Sequence, residues 1–250
     1  MLLSTGRLFG SGSGGGGGGS DPNFANVKLL LGFEGTDGST STTDESPSAH
    51  TMTANGDAQI DTAQFKYGAS SGLFDGAGDF WSAGTSSDWN LSTANSDQFT
   101  IEFWIRPQGS PTGTLGIMGK AADIFHLGWW VELSDLKPRL QFSVDGGPGG
   151  SIVSVVCSTA LSQSVFSHVA IDKDSSGKMR IYINGTMDVG TTPANSVFFN
   201  ASAALEVGRS NSTIATLMNG WLDEVRITKG VARYASDGGF TAPTAAFPRS

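Results

Sequence analysis

The 250 residues suffice for one large all-β sandwich or two ordinary domains, and at 38% hydrophobic and 15% charged the chain can bury a core. A net charge of −8 with no basic cluster argues against nucleic acid and anionic membranes as partners, and no apolar run is long enough for membrane insertion. A single cysteine excludes an intramolecular disulfide framework, while 35 glycines amid frequent Ser, Thr and Asn favour strands and turns over long helices.

Residues 1–22 read as a separate unit. An apolar head of Leu2, Leu3, Leu8 and Phe9 leads into Gly10-Ser11-Gly12-Ser13, the run Gly14 to Gly19, and Ser20-Asp21-Pro22. Such a Gly/Ser tract is a flexible linker. It is either a floppy terminus or a tether whose apolar head docks into a partner. The start lacks the basic residues and continuous apolar core of a signal peptide, so Sec export is not the expected route.

Residues 23–250 read as strand after strand. Val27 to Phe33 is the first. Phe99 to Arg106 alternates cleanly, with Phe99, Ile101, Phe103 and Ile105 facing in and Pro107 ending the strand. Further strands are predicted at 128–133, 139–144, 151–157, 167–172 and 178–183, with a hairpin loop over 173–177. Asn184-Gly185 is the strongest turn signal. Cys157 lies in a strand as a small buried hydrophobe. In the last strand, strict alternation puts Trp221, Asp223, Val225 and Ile227 on one face and Leu222, Glu224 and Arg226 on the other. A carboxylate among Trp, Val and Ile is at least half buried, and a metal ion would compensate its charge.

These segments resemble a laminin G-like domain, across roughly residues 25–249. The resemblance is carried by Phe99 to Arg106, by Phe166-Ser167-His168-Val169-Ala170 followed by Gly177 to Gly185, and by Ala204-Leu205-Glu206-Val207-Gly208 with Gly220 to Ile227. Leu30 to Gly35, Asp44-Glu45-Ser46-Pro47 and Leu73-Phe74-Asp75-Gly76 agree in the N-terminal half. Phe166 and Ser167 depart mildly from the family's usual Trp-His. The ending Gly230-Val231-Ala232-Arg233-Tyr234, then Phe240 to Pro243 and Phe247-Pro248, is most like versions carried by tailed bacteriophages. The resemblance implies an all-β, two-sheet antiparallel jelly roll of the concanavalin A-like type.

That fold hosts lectins, hydrolases and structural modules, so chemistry must be argued from residues. The family's glycoside hydrolases carry Glu-x-Asp-x-x-Glu, which is absent here. The nearest pair, Glu132 and Asp135, has odd spacing, whereas retaining hydrolysis needs carboxyls about 5–5.5 Å apart. His50, His126 and His168 are isolated and show neither a nucleophile partner nor zinc spacing.

Calcium is the plausible ion, because hard cations take carboxylate and carbonyl oxygens. By position in the fold class, Asp223 would be a structural ligand, with Glu34 or Gly35 and Asp75 or Gly76 as neighbours. The competing reading pairs Asp223 with Arg, Lys or backbone N–H groups. Trp81, Trp89 and Trp130 are the candidates for stacking on sugars; Trp129 shares a face with Val131 and Leu133 and belongs in the core. The acceptor-like tripeptides at Asn90, Asn184, Asn200 and Asn211 are read as chance matches in a chain rich in these residues.

The expected function is a non-catalytic phage virion protein. Its module would adhere to host-surface polysaccharide in many copies or as a homo-oligomer, anchored to other virion proteins through residues 1–22. The alternatives are a capsid or tail cementing protein without glycan binding, and a glycoside hydrolase of the same fold.

Overall fold

The structure, a computed structural model, describes residues 19–109, 113–122, 126–147, 152–210 and 216–250. The anchor residues Leu2, Leu3, Leu8 and Phe9 lie outside the described residues. Fifteen strands occur among the described residues: β1 Val27–Leu31, β2 Met52–Asn55, β3 Gln59–Asp61, β4 Ser71–Asp75, β5 Phe80–Ala83, β6 Phe99–Pro107, β7 Thr114–Ala121, β8 Leu127–Ser134, β9 Lys137–Ser143, β10 Ile152–Val156, β11 Ser167–Lys173, β12 Met179–Ile183, β13 Thr186–Thr191, β14 Leu205–Val207 and β15 Asn219–Lys229. Two short 3-10 helices, Phe24–Asn26 and Ser87–Trp89, complete the elements. No helix is long and apolar enough to cross a membrane.

The strands form two antiparallel sheets, as the sequence predicts. The larger runs β13-β12-β11-β6-β15-β4-β3, with β1 also paired to β15; the smaller runs β10-β9-β8-β7-β14-β5-β2. The long β15 explains the arrangement. One edge pairs with β6, and the other is shared by β4 in its first half and β1 in its second. Phe99, Ile101, Phe103 and Ile105 all lie in the core between the sheets, facing Trp129, Val131 and Leu133 of the smaller one. Asn184 and Gly185 both take positive φ, as a two-residue hairpin between β12 and β13 requires.

One expectation about β15 is overturned. Leu222, not Asp223, shares the core with Val225 and Ile227. The register shifts between Asp223 and Arg226, where Glu224 adopts φ 50°. This bulge inserts one residue and reverses the alternation, so Trp221 and Asp223 point away from the core.

Both sheets are also covered on their outer faces. On the larger sheet Glu102, Trp104, His168, Asp172 and Tyr182 are buried beneath the C-terminal segment. Tyr234 stacks on Phe240 at 3.5 Å, and Phe240 and Phe247 both contact the His168 ring. On the smaller sheet Ser210 and Thr216, which follow β14 and precede β15, lie against β7. A Cβ on Gly119 would stand 2.1 Å from the Ser210 carbonyl, and one on Gly116 would stand 2.0 Å from that of Thr216.

Candidate functional site

Of the residues expected to hold calcium, Glu34 lies near Asp223 but Asp75 and Gly76 do not. Asp75 pairs in register with Asn219, four residues before Asp223, which puts the two roughly 13 Å apart along the strand. Asp223 is fully buried. Its Oδ2 accepts the backbone N–H groups of Lys66 and Tyr67 at 2.7 and 3.0 Å, while Oδ1 has no hydrogen-bond partner. Burial pushes its carboxyl up to about 7, and the nearby charges of Glu224 and Glu34 act in the same direction. The competing reading of Asp223, a partnership with backbone N–H, is the one realised. Glu34 caps the Ala69 N–H instead.

Asp75 belongs to a different acidic group. Its ligand oxygens and those of Asp57 and Asp79 lie within 4.8 Å of one another, where the β2–β3 and β4–β5 turns meet. Asp79 is buried and organises the group: its two oxygens accept the N–H groups of Asp57 and Asp75, both at 2.9 Å. Burial raises its carboxyl to about 6, with the Asp75 charge contributing. Gly76 supplies only the positive φ of the second turn. Three carboxylates at this spacing are a hard-oxygen donor set that can hold a metal ion.

The tryptophans chosen as sugar platforms are buried. Trp81 is fully enclosed against Phe33 and Phe74, at ring separations of 5.2 and 5.4 Å. Trp89 is fully enclosed too; its indole N–H donates to the Gly84 carbonyl, and its own carbonyl accepts from Trp129. Trp130 does lie on the outer face of β8, but it packs with Ala121, Leu127 and Ile152, and its N–H donates to Gln141. A ring without an open face cannot stack on a ligand, so all three are corrected to packing residues.

Glu132 and Asp135 have separate partners. Glu132 is engaged by Arg139 and Ser210, whereas the Asp135 carboxylate, in the β8–β9 turn, accepts from the Gly113 N–H. Glu102 is fully buried and held by Arg226, Tyr234 and His168.

A polar recess opens at one end of the sandwich. It has a volume of about 180 Å³ and is lined by Thr85, Ser86, Ser87, Asn90, Lys120, Asn200, Ala201 and Ser202. Its floor is Lys120, on β7, which is only 2% exposed. The Nζ donates to Asn200 Oδ1 at 2.8 Å and to Asn90 Oδ1. No carboxylate pairs with it among the described residues. Burial pushes its ammonium down to about 8, and the like charge of Lys229 adds to the effect. Lys229 itself donates to the Ser87 carbonyl at 2.8 Å. Sequence reasoning missed this site. Lys120 carries no motif, and its two amide partners sat within apparently accidental glycosylation tripeptides.

Comparison with known proteins agrees with the architecture. A laminin G family model, described as the concanavalin A-like lectin/glucanases superfamily, matches residues 75–234. No curated protein matches the chain. Among solved structures, the binding domain of Paraclostridial Mosquitocidal Protein 1 is similar with a TM-score of 0.64 at 17% identity, over 82% of this chain and 49% of that one. The botulinum neurotoxin serotype G binding domain follows at 0.62 and 18%, over 85% and 49%. A structure of botulinum neurotoxin type C, a toxin whose passage into cells depends on interaction with two ganglioside molecules, gives 0.59 and 15%, over 82% and 48%. The chain spans about half the length of these structures, and the likeness is one of fold. With the family model covering most of the two-sheet sandwich, the chain belongs to the concanavalin A-like lectin/glucanases superfamily.

Proposed function

We propose that the chain is a non-catalytic carbohydrate-binding module. The observation that carries this reading is the recess around Lys120, whose lining residues all carry hydroxyl, amide or ammonium groups except Ala201. Hydroxyls and amides both donate and accept, as polyhydroxylated ligands require. Membership of a superfamily of lectins and glucanases, and the fold shared with toxin binding domains, one from a toxin that interacts with gangliosides, support carbohydrate binding. The non-catalytic part rests on the acids. Glu102 and Glu132 are committed to arginine partners; of the acids that hold a proton near neutral pH, as a general acid must, Asp223 is fully buried and Asp79 is taken up by two backbone N–H groups.

Display of residues 23–250 on a virion, tethered through residues 1–22, is supported by the resemblance of residues 230–248 to phage-borne domains. Many copies would turn weak contacts into useful avidity. The Asp57, Asp75 and Asp79 group is our candidate for the structural calcium.

Glycan-array binding by the full chain tests the central reading. A blank array favours the cementing role, and release of reducing ends from polysaccharide overturns the non-catalytic assignment. Unchanged particle incorporation after removal of residues 1–22 would sink the tether.

A further inference from the structure

We infer that the Lys120 recess binds a carboxylate-bearing sugar residue, its carboxylate received by the buried ammonium. This rests on the carbohydrate-binding reading and specifies its ligand class.

The argument begins with a charge. A buried ammonium is costly unless paired, yet among the described residues Lys120 has only two amide oxygens for partners. An ammonium has three N–H donors, so one remains for a ligand. Asn90 and Asn200 turn their Oδ1 atoms to Lys120, and both residues line the recess. Lys229, anchored on Ser87, brings a second positive charge beside the first. The nearest acid on the lining segment, Asp88, directs its carboxylate away, to Ser48 and His50. A chain of net charge −8 thus gathers two lysines at one recess, with no carboxylate paired to Lys120 among the described residues.

Size narrows the class. The recess, about 180 Å³, is small, so a single sugar ring is the unit it would seat. The serine and threonine residues of the 85–87 segment and Ser202 supply two-way hydrogen bonding for ring hydroxyls.

The test is an array of neutral, uronate-terminated, sialate-terminated and sulfated glycans probed with the full chain. Lys120→Met and Lys229→Gln variants, both checked for cooperative melting, are run beside it. Binding to carboxylated glycans, weakened at least tenfold in Lys120→Met and a few-fold in Lys229→Gln, is expected. Binding confined to neutral or sulfated glycans overturns this inference while leaving the module a carbohydrate binder, as does carboxylate binding unchanged in Lys120→Met. A blank array overturns both readings. Should Lys120→Met fail to fold, Lys229→Gln decides, and undiminished binding there overturns the inference.

Discussion

Glu102 and Arg226 lie opposite one another on adjacent strands, and the guanidinium Nε and Nη2 both donate to a single carboxylate oxygen at 2.9 and 2.7 Å. Burial would raise the Glu102 carboxyl, but Arg226, His168 and Tyr234 outweigh it and hold the group well below the usual carboxylate range. Around this pair Arg233 and Asp21 extend the network, and Tyr234 closes it from the C-terminal segment. The pair fastens that segment to the sheet.

Removing one charge from it should therefore be expensive. Glu102→Gln leaves Arg226 buried without its main partner, and breaking such a pair costs about 3–5 kcal/mol. Urea denaturation measures the loss. A change below about 1 kcal/mol would show that the network is not what holds the segment down.

Asp223 makes the opposite prediction. Its carboxyl, raised to about 7, stays protonated in the folded chain where the unfolded chain, near 3.8, has already lost the proton. The folded state then binds more protons, so this residue's contribution to stability falls as pH rises from about 4 to about 7, and is level above that. Asp223→Asn removes the titration and keeps an oxygen for the Lys66 and Tyr67 N–H groups. Relative to the parent, the variant should gain stability steadily across that window, by at most about 1.4 kcal/mol per pH unit. A pH-independent difference between the two melting curves would refute the assignment.

These two acids show what the sequence could and could not disclose. Alternation placed Phe99, Ile101, Phe103 and Ile105 in the core because β6 is regular throughout. The same rule failed in β15, because the bulge depends on a left-handed Glu224, and glutamate carries no signal for that conformation. Trp81 and Trp89 are invisible as core residues because the segments that enclose them are distant in sequence. The Lys120 recess needs residues 85–90, 120 and 200–202 to converge, which no local pattern encodes. The acidic group was half legible: Asp75 was identified, but Asp57 and Asp79 join it only when two turns meet.

That group yields a prediction about ions. Calcium bound only by the folded chain stabilises it by mass action, about 2.7 kcal/mol at a hundredfold excess over Kd. The melting temperature of the parent should rise with added calcium and fall again with chelator. Because burial holds the Asp79 proton up to about pH 6, calcium must displace it, and the gain should be smaller at pH 5 than at pH 7.5. In Asp79→Asn the gain should vanish. A melting temperature indifferent to calcium in the parent removes these three residues from consideration as ligands.

The packing of Ser210 and Thr216 against β7 is open to the simplest substitution. Gly119 has ordinary backbone geometry, so alanine there is resisted by contact alone. Its Cβ would lie 2.1 Å from the Ser210 carbonyl and 2.8 Å from the Trp130 Cβ, both poorly able to yield. Gly119→Ala should therefore push Ser210 off the sheet, weaken its hydrogen bond to Glu132, and destabilise the fold by about 1–3 kcal/mol, as overpacking does. Glycan binding at Lys120 enters the same argument as a control. Lys120 is the next residue on β7, but its Nζ is directed to Asn90 and Asn200. A folded Gly119→Ala chain should thus keep its glycan affinity while showing faster amide exchange around Ser210 and Thr216. If the variant instead melts like the parent with unchanged exchange, Ser210 and Thr216 do not close this face in solution, and the outer surface around Glu132 becomes a second candidate for ligand contact.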